Sequence, residues 1–124
     1  MGIVVDTCVV VEAQKCKHCF TIVASVLSSL FIAYANDELM YEYERILPKR
    51  AGEIGKQFMN YVQRVEATTT TGLMLVSDPT DQMVIESAIA SDSQTIFSID
   101  NRVINASNAL REQFGISVFD PRRL

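Results

Sequence analysis

The spacing of apolar positions changes several times along the chain, and each change marks an element. Residues 2–5 are a short β-branched run ending at Asp6, the pattern of a buried strand rather than an amphipathic one. Over residues 16–30, Cys19, Ile22, Val23, Val26, Leu27 and Leu30 recur at three- and four-residue steps and predict a helix; residues 31–34 then read as a strand. Asn36 or Asp37 caps the next helix, in which Leu39, Tyr43, Ile46 and Leu47 share a stripe until Pro48 interrupts it. Ala51, Ile54, Phe58, Tyr61, Val62 and Val65 predict another long helix, followed by threonines at 68–71. Beyond them a strand is expected at 73–76, a helix opening at Asp78-Pro79, and a strand at 95–99. Val103, Ser107, Leu110 and Phe114 predict a last helix ended by Gly115, with a fifth strand at 116–119.

Strands alternating with helices predict an α/β domain of three layers, α/β/α, with a parallel sheet of about five strands covered on both faces. No repeat or linker interrupts it, so residues 1–124 are expected to form one domain, long enough to bury a core. Hydrophobic residues at 48% and charged residues at 21% match ordinary globular usage and exclude a disordered chain. The longest apolar stretch, residues 21–34, is broken by Ser25, Ser28 and Ser29 and falls short of the roughly 20 residues of a membrane span. The N-terminus lacks the basic segment of a secretory signal, so no membrane association and a cytoplasmic location are expected.

Three cysteines argue against a disulfide framework. Cys16 and Cys19 form a single Cys-x-x-Cys with no second pair to complete a structural zinc site, and are expected as buried thiols on a helix. A net charge of −4 lacks the basic footprint of a nucleic-acid binder; the small clusters at Lys15/Lys17/His18, Lys49/Arg50 and Arg122/Arg123 each read as solvated surface.

The acidic residues carry more information. Asp6 and Asp100 each end a predicted strand, where open parallel sheets place their ligands. Asp81 precedes Val84, Ile85 and Ala88 by three, four and seven residues and shares their inward helix face, whereas Glu86 falls opposite. Glu42 borders the stripe of its own helix, three residues after Leu39 and four before Ile46. Each has a structural alternative: Asp6 and Asp100 as caps, Asp81 as the partner of Asp78 in a capping box, Glu42 as a flank residue pairing with solvent or Arg45. Converging on one crevice, the four would repel one another unless a cation were present, and hard ions such as Mg²⁺ or Mn²⁺ suit oxygen ligands.

With the acids placed, the sequence resembles the PIN domain, the metal-dependent nuclease fold of toxin ribonucleases in type II toxin-antitoxin systems. IVVDTCVVV is similar to the family's opening strand followed by Asp-Thr-Asn, ELMYEYERIL to its Glu-Tyr segment, and DPTDQMVIESAIASDSQTIFSID to its Asp-Pro-x-Asp helix followed by a strand ending Thr-Gly-Asp. The resemblance implies catalytic roles for Asp6, Glu42, Asp81 and Asp100, with Asp6, Asp81 and Asp100 as ligands of Mg²⁺ or Mn²⁺. It further implies an RNA substrate, an antitoxin partner and a homodimer. Two departures stand out: Ser98-Ile99 replaces Thr-Gly, and Arg102 stands where the family often has another Asp. Arg102 has three readings: a cation in the place of a second metal, a solvent-facing residue, or a phosphate contact. The first favours a rival function, a PIN-like module that binds RNA or protein without cleaving. A receiver-like phosphoacceptor domain fits poorly, since no lysine follows Lys56.

Overall fold

The computed structural model describes residues 2–66 and 79–124, with side chains from residue 82 onward in the second stretch. In chain order the elements are β1 (Gly2–Val5), α1 (Thr7–Glu12), α2 (Lys17–Leu27), β2 (Ile32–Ala35), α3 (Asp37–Arg50), α4 (Gly52–Tyr61) and β3 (Gln63–Arg64). There follow α5 (Pro79–Ala90), β4 (Thr95–Phe97), α6 (Asn101–Ile104), α7 (Ser107–Phe114), β5 (Ser117–Phe119) and a closing 3₁₀ turn, Pro121–Arg123. The five strands form one parallel sheet in the order β3-β2-β1-β4-β5. The expected architecture, a three-layer α/β/α fold around a five-stranded parallel sheet, is what the chain adopts.

The strand order positions the site. From β1 the chain steps outward to β2 and β3, then returns across β1 to β4 and β5. Right-handed crossovers place connections running in opposite directions on opposite faces, leaving a crevice where the direction reverses, at the carboxyl ends of β1 and β4. Asp6 follows β1 and Asp100 lies three residues beyond β4, so both stand at that crevice.

Several boundaries differ from the sequence reading. Residues 7–12 form α1, although their β-branched run shows no helical period. The long helix expected to reach Val65 stops at Tyr61. Gln63 and Arg64 instead pair with Tyr34 and Ala35 as an edge strand, extended by a hydrogen bond from Val65 N–H to the Ala35 carbonyl (3.0 Å). Two exposed polar residues carry no strand pattern. Arg64 holds the edge through ion pairs with Asp37 and Glu44, each 3.1 Å. The strand expected at 73–76, the threonines at 68–71 and the Asp78 cap lie outside the described residues. Asn36, not Asp37, caps α3, accepting from Leu39 N–H at 2.9 Å. That helix continues through Pro48 to Arg50, because Pro48 falls in its last turn and buried Leu47 and Ala51 anchor the end. The last expected helix divides at Asn105 into α6 and α7, with Gly115 its left-handed C-cap (φ 68°) as foreseen.

The core joins Ile3, Val4 and Val5 of β1 to Leu39, Tyr43 and Leu47 of α3, Phe58 of α4, and Val84, Ile85 and Ala88 of α5. Gly55 packs α4 onto α3: a Cβ there would lie 2.8 Å from Ala51 Cβ and 3.0 Å from Leu47 Cβ and the Leu47 carbonyl oxygen. Gly55→Ala gains about 1 kcal/mol of helix propensity, but overpacking of about 1–3 kcal/mol should outweigh it. Urea unfolding is expected to show a less stable variant.

Candidate active site

An open cleft of about 260 Å³ occupies the crevice, lined by Asp6, Thr7, Cys8, Val11, Glu12, Glu42, Ile46, Arg50, Ile99, Asp100 and Arg102. Three of the four acids singled out in the sequence therefore meet: Asp6 from the end of β1, Glu42 from α3 and Asp100 from beyond β4. Asp81 lies in the first turn of α5, which packs on β1, β2 and β4, but its side chain is outside the described residues.

Asp6 occupies the N-cap position of α1 yet makes no side-chain cap hydrogen bond, so the capping alternative does not explain it. Its Oδ2 accepts from Ser98 Oγ at 2.7 Å, and it is only 7% exposed. Burial chiefly, with repulsion from Glu42 and Asp100, raises its pKa from 3.8 to about 6 against the hydrogen bonds from Ser98 and Cys8. Ser98 also accepts from Asp100 N–H at 3.0 Å, so one hydroxyl fixes two corners of the site. Burial and the neighbouring Asp6 push the Cys8 thiol up to about 12, leaving it protonated.

Glu42 is half-buried, and its Oε2 accepts from Thr7 Oγ1 at 2.8 Å. Neighbouring Glu44 pairs with Arg64, outside the cleft. Asp100 serves as a cap, its Oδ1 accepting from Arg102 N–H (2.9 Å), and also receives the guanidinium: Nε lies 3.4 Å from Oδ1 and Nη2 3.2 Å from Oδ2. Of the three readings of Arg102, the structure shows a cation held against an acid of the crevice. Below this corner Arg122 grips Asp120 through Nε and Nη2 (3.2 and 3.0 Å) and donates to the Ile99 carbonyl at 3.4 Å, tying the C-terminal turn to the residue before Asp100.

Sequence reasoning missed Thr7 and Arg50. Glu42, Ile46 and Arg50 follow one another at four-residue steps and share one face of α3, but ending that helix at Pro48 left Arg50 outside the pattern. The partner of Thr7 is 35 residues away and leaves no local signal. The weight placed on the inward face of α5 also needs correction. Glu86 is half-buried and accepts from buried Gln82 at 3.1 Å, and of the described residues of the helix, 82–89 are all buried or half-buried between the sheet and α3. Helical spacing alone therefore separates Asp81 from its neighbours less sharply than expected.

Among the described residues no three His, Cys, Asp or Glu side chains are gathered closely enough to hold a metal ion. The donor chemistry nevertheless suits one hard cation at Asp6, a desolvated carboxylate repelled by two others and, among the described residues, in no ion pair. At Asp100 the guanidinium already supplies that charge.

The model of the PIN domain family matches residues 2–102, a span that includes Asp6, Glu42, Asp81, Asp100 and Arg102. The chain belongs to the PIN-domain family. Its structure is similar to a chain in the crystal structure of VapBC2 from Rickettsia felis bound to a DNA fragment from their promoter, with a TM-score of 0.56 and 10% sequence identity. The similarity covers 97% of this chain and 98% of that one, and at such identity it speaks for the fold alone. A comparison with curated proteins finds no match. Among the described residues no helix is long and apolar enough to cross a membrane.

Proposed function

We propose that this PIN domain is a divalent-metal-dependent endoribonuclease, with Asp6, Glu42, Asp81 and Asp100 as its catalytic acids and Mg²⁺ or Mn²⁺ as its cofactor. The observation that carries the reading is Asp6, a buried carboxylate at the sheet's switch point that caps nothing and stays desolvated beside two other acids. Asp6 would hold the ion, with Asp81 and Asp100 contributing as the family pattern suggests. Bound there, the ion would polarise the scissile phosphate and acidify a water. Ser98 fixes the orientation of Asp6, and Thr7 that of Glu42. Glu42 Oε1, the oxygen not engaged by Thr7, accepts the proton of the attacking water. Arg50, on the same cleft wall, draws in the RNA phosphate, which the acids alone would repel. An antitoxin partner, a homodimer and a cytoplasmic setting complete the proposal, supported by the resemblance to toxin ribonucleases.

A second reading, a non-cleaving PIN module that binds RNA or protein, is favoured by the ion pair between Arg102 and Asp100. One experiment separates the two. Single-stranded RNAs of varied sequence are incubated with the protein and Mn²⁺ or Mg²⁺, alongside a calorimetric Mn²⁺ titration. Cleavage that is lost with chelator and in Asp81→Asn is expected. Arg102→Gln should bind Mn²⁺ about tenfold more tightly, the effect of removing one unit charge near the site. Intact RNA across the panel, with no saturable Mn²⁺ heat from folded protein, would leave only the module.

A further inference from the structure

Neither Cys16 nor Cys19 is among the residues lining the acidic cleft, and both are free thiols. Cys19 is fully buried, as expected from the sequence, but Cys16 is not. It is the N-cap of the eleven-residue α2, with an extended backbone (φ −109°, ψ 116°) and its sulfur accepting from Cys19 N–H at 3.4 Å. The Cys19 N–H bond holds the Cys16 sulfur over the first turn of α2, and each cysteine perturbs the other's thiol. The Cys19 N–H donates to the Cys16 sulfur and chiefly lowers its pKa, while partial desolvation and then Glu12 work against it. Burial holds Cys19 protonated, pushed up to about 12. Among the described residues no third metal-binding side chain joins the pair.

We propose that Cys16 and Cys19 are a redox-active dithiol that exchanges with small disulfides such as oxidised glutathione, Cys16 attacking and Cys19 resolving. The Cys16 thiolate forms a bond to one sulfur of the small disulfide, whose S–S bond breaks, and the departing thiolate takes up the proton that Cys16 has given to water. Cys19 then attacks the Cys16 sulfur, expels the second small thiolate and passes its own proton to it. Two cysteine thiols are oxidised to one disulfide and one small disulfide is reduced to two thiols. Three residues across the start of a helix fall within the ~4.4–6.8 Å Cα separation that disulfides span.

The test incubates the folded chain with oxidised glutathione at neutral pH, quenches in acid, and maps each thiol by alkylation and peptide mass spectrometry. The expected product is a Cys16–Cys19 disulfide with Cys8 still reduced, and iodoacetamide should label Cys16 at least about tenfold faster than either other cysteine. Cys19→Ser, or Cys19→Ala if the buried hydroxyl unfolds the protein, should stop at a glutathione adduct on Cys16. Cys16→Ser should give neither product. A wild-type reaction that ends at a Cys16 adduct or an intermolecular dimer, or labelling of Cys16 no faster than of Cys8, overturns the proposal.

Discussion

Asp6→Asn should abolish RNA cleavage and at the same time make the metal-free protein more stable. On the activity side, removing the carboxylate that anchors the cation should lower turnover by about 10²–10³-fold or more, the scale seen when one charge-stabilising group is lost. On the stability side, a carboxyl whose pKa rises from 3.8 to about 6 on folding costs the native state about 3 kcal/mol at neutral pH. The sign follows from proton affinity. Folded Asp6 holds its proton more tightly than unfolded Asp6, so its contribution is most favourable below pH 4 and is lost as pH rises through 6. Asparagine keeps the shape and can still accept from Ser98 without carrying the charge. Urea unfolding in chelator should therefore show the variant and the wild type converging near pH 4, with the variant ahead by about 1–3 kcal/mol at pH 7.5. A variant destabilised at every pH would mean that Asp6 serves the fold rather than a ligand.

Phe58→Ala should be the most destabilising of these changes, at about 3–5 kcal/mol and a fall in Tm of about 10–20 °C. Phe58 is fully buried and meets Tyr43 edge to face, with ring centroids 5.5 Å apart and planes at 85°. Tyr43 in turn donates its hydroxyl to the Val5 carbonyl, the residue before Asp6. The loss therefore reaches the end of β1 that leads into Asp6. Thermal denaturation measures it, and a drop within 1 kcal/mol would show that α4 is not needed to hold that strand end.

How much of this was legible in the sequence depended on whether the cause was local. The β-branched runs that make β1 and β4 are largely buried strands whose composition announces them, and Asp6 and Asp100 beyond their ends stand where a parallel sheet places its ligands. β3 was invisible because two exposed polar residues become a strand only by lying beside Tyr34 and Ala35. Helix α1 follows a strand-like run of valines, and tertiary packing overrides the propensity. In the site, Glu42 stood out chiefly by family resemblance and only weakly by its place beside the apolar stripe, since its partner Thr7 is distant in sequence. Arg102 was recognisable as a foreign charge among acids. Its hold on Asp100 required coordinates.

That hold also bears on the number of ions. A guanidinium on Asp100 leaves Asp6 as the acid most in need of a cation, so the cleft should take one ion rather than two. The most direct measurement is an anomalous difference map from a crystal soaked in Mn²⁺. A single Mn²⁺ peak within coordinating distance of the Asp6 carboxylate, with Arg102 still against Asp100, is the predicted result. A map with no peak in the cleft, and Asp6 still bound only to its protein partners, would contradict the account.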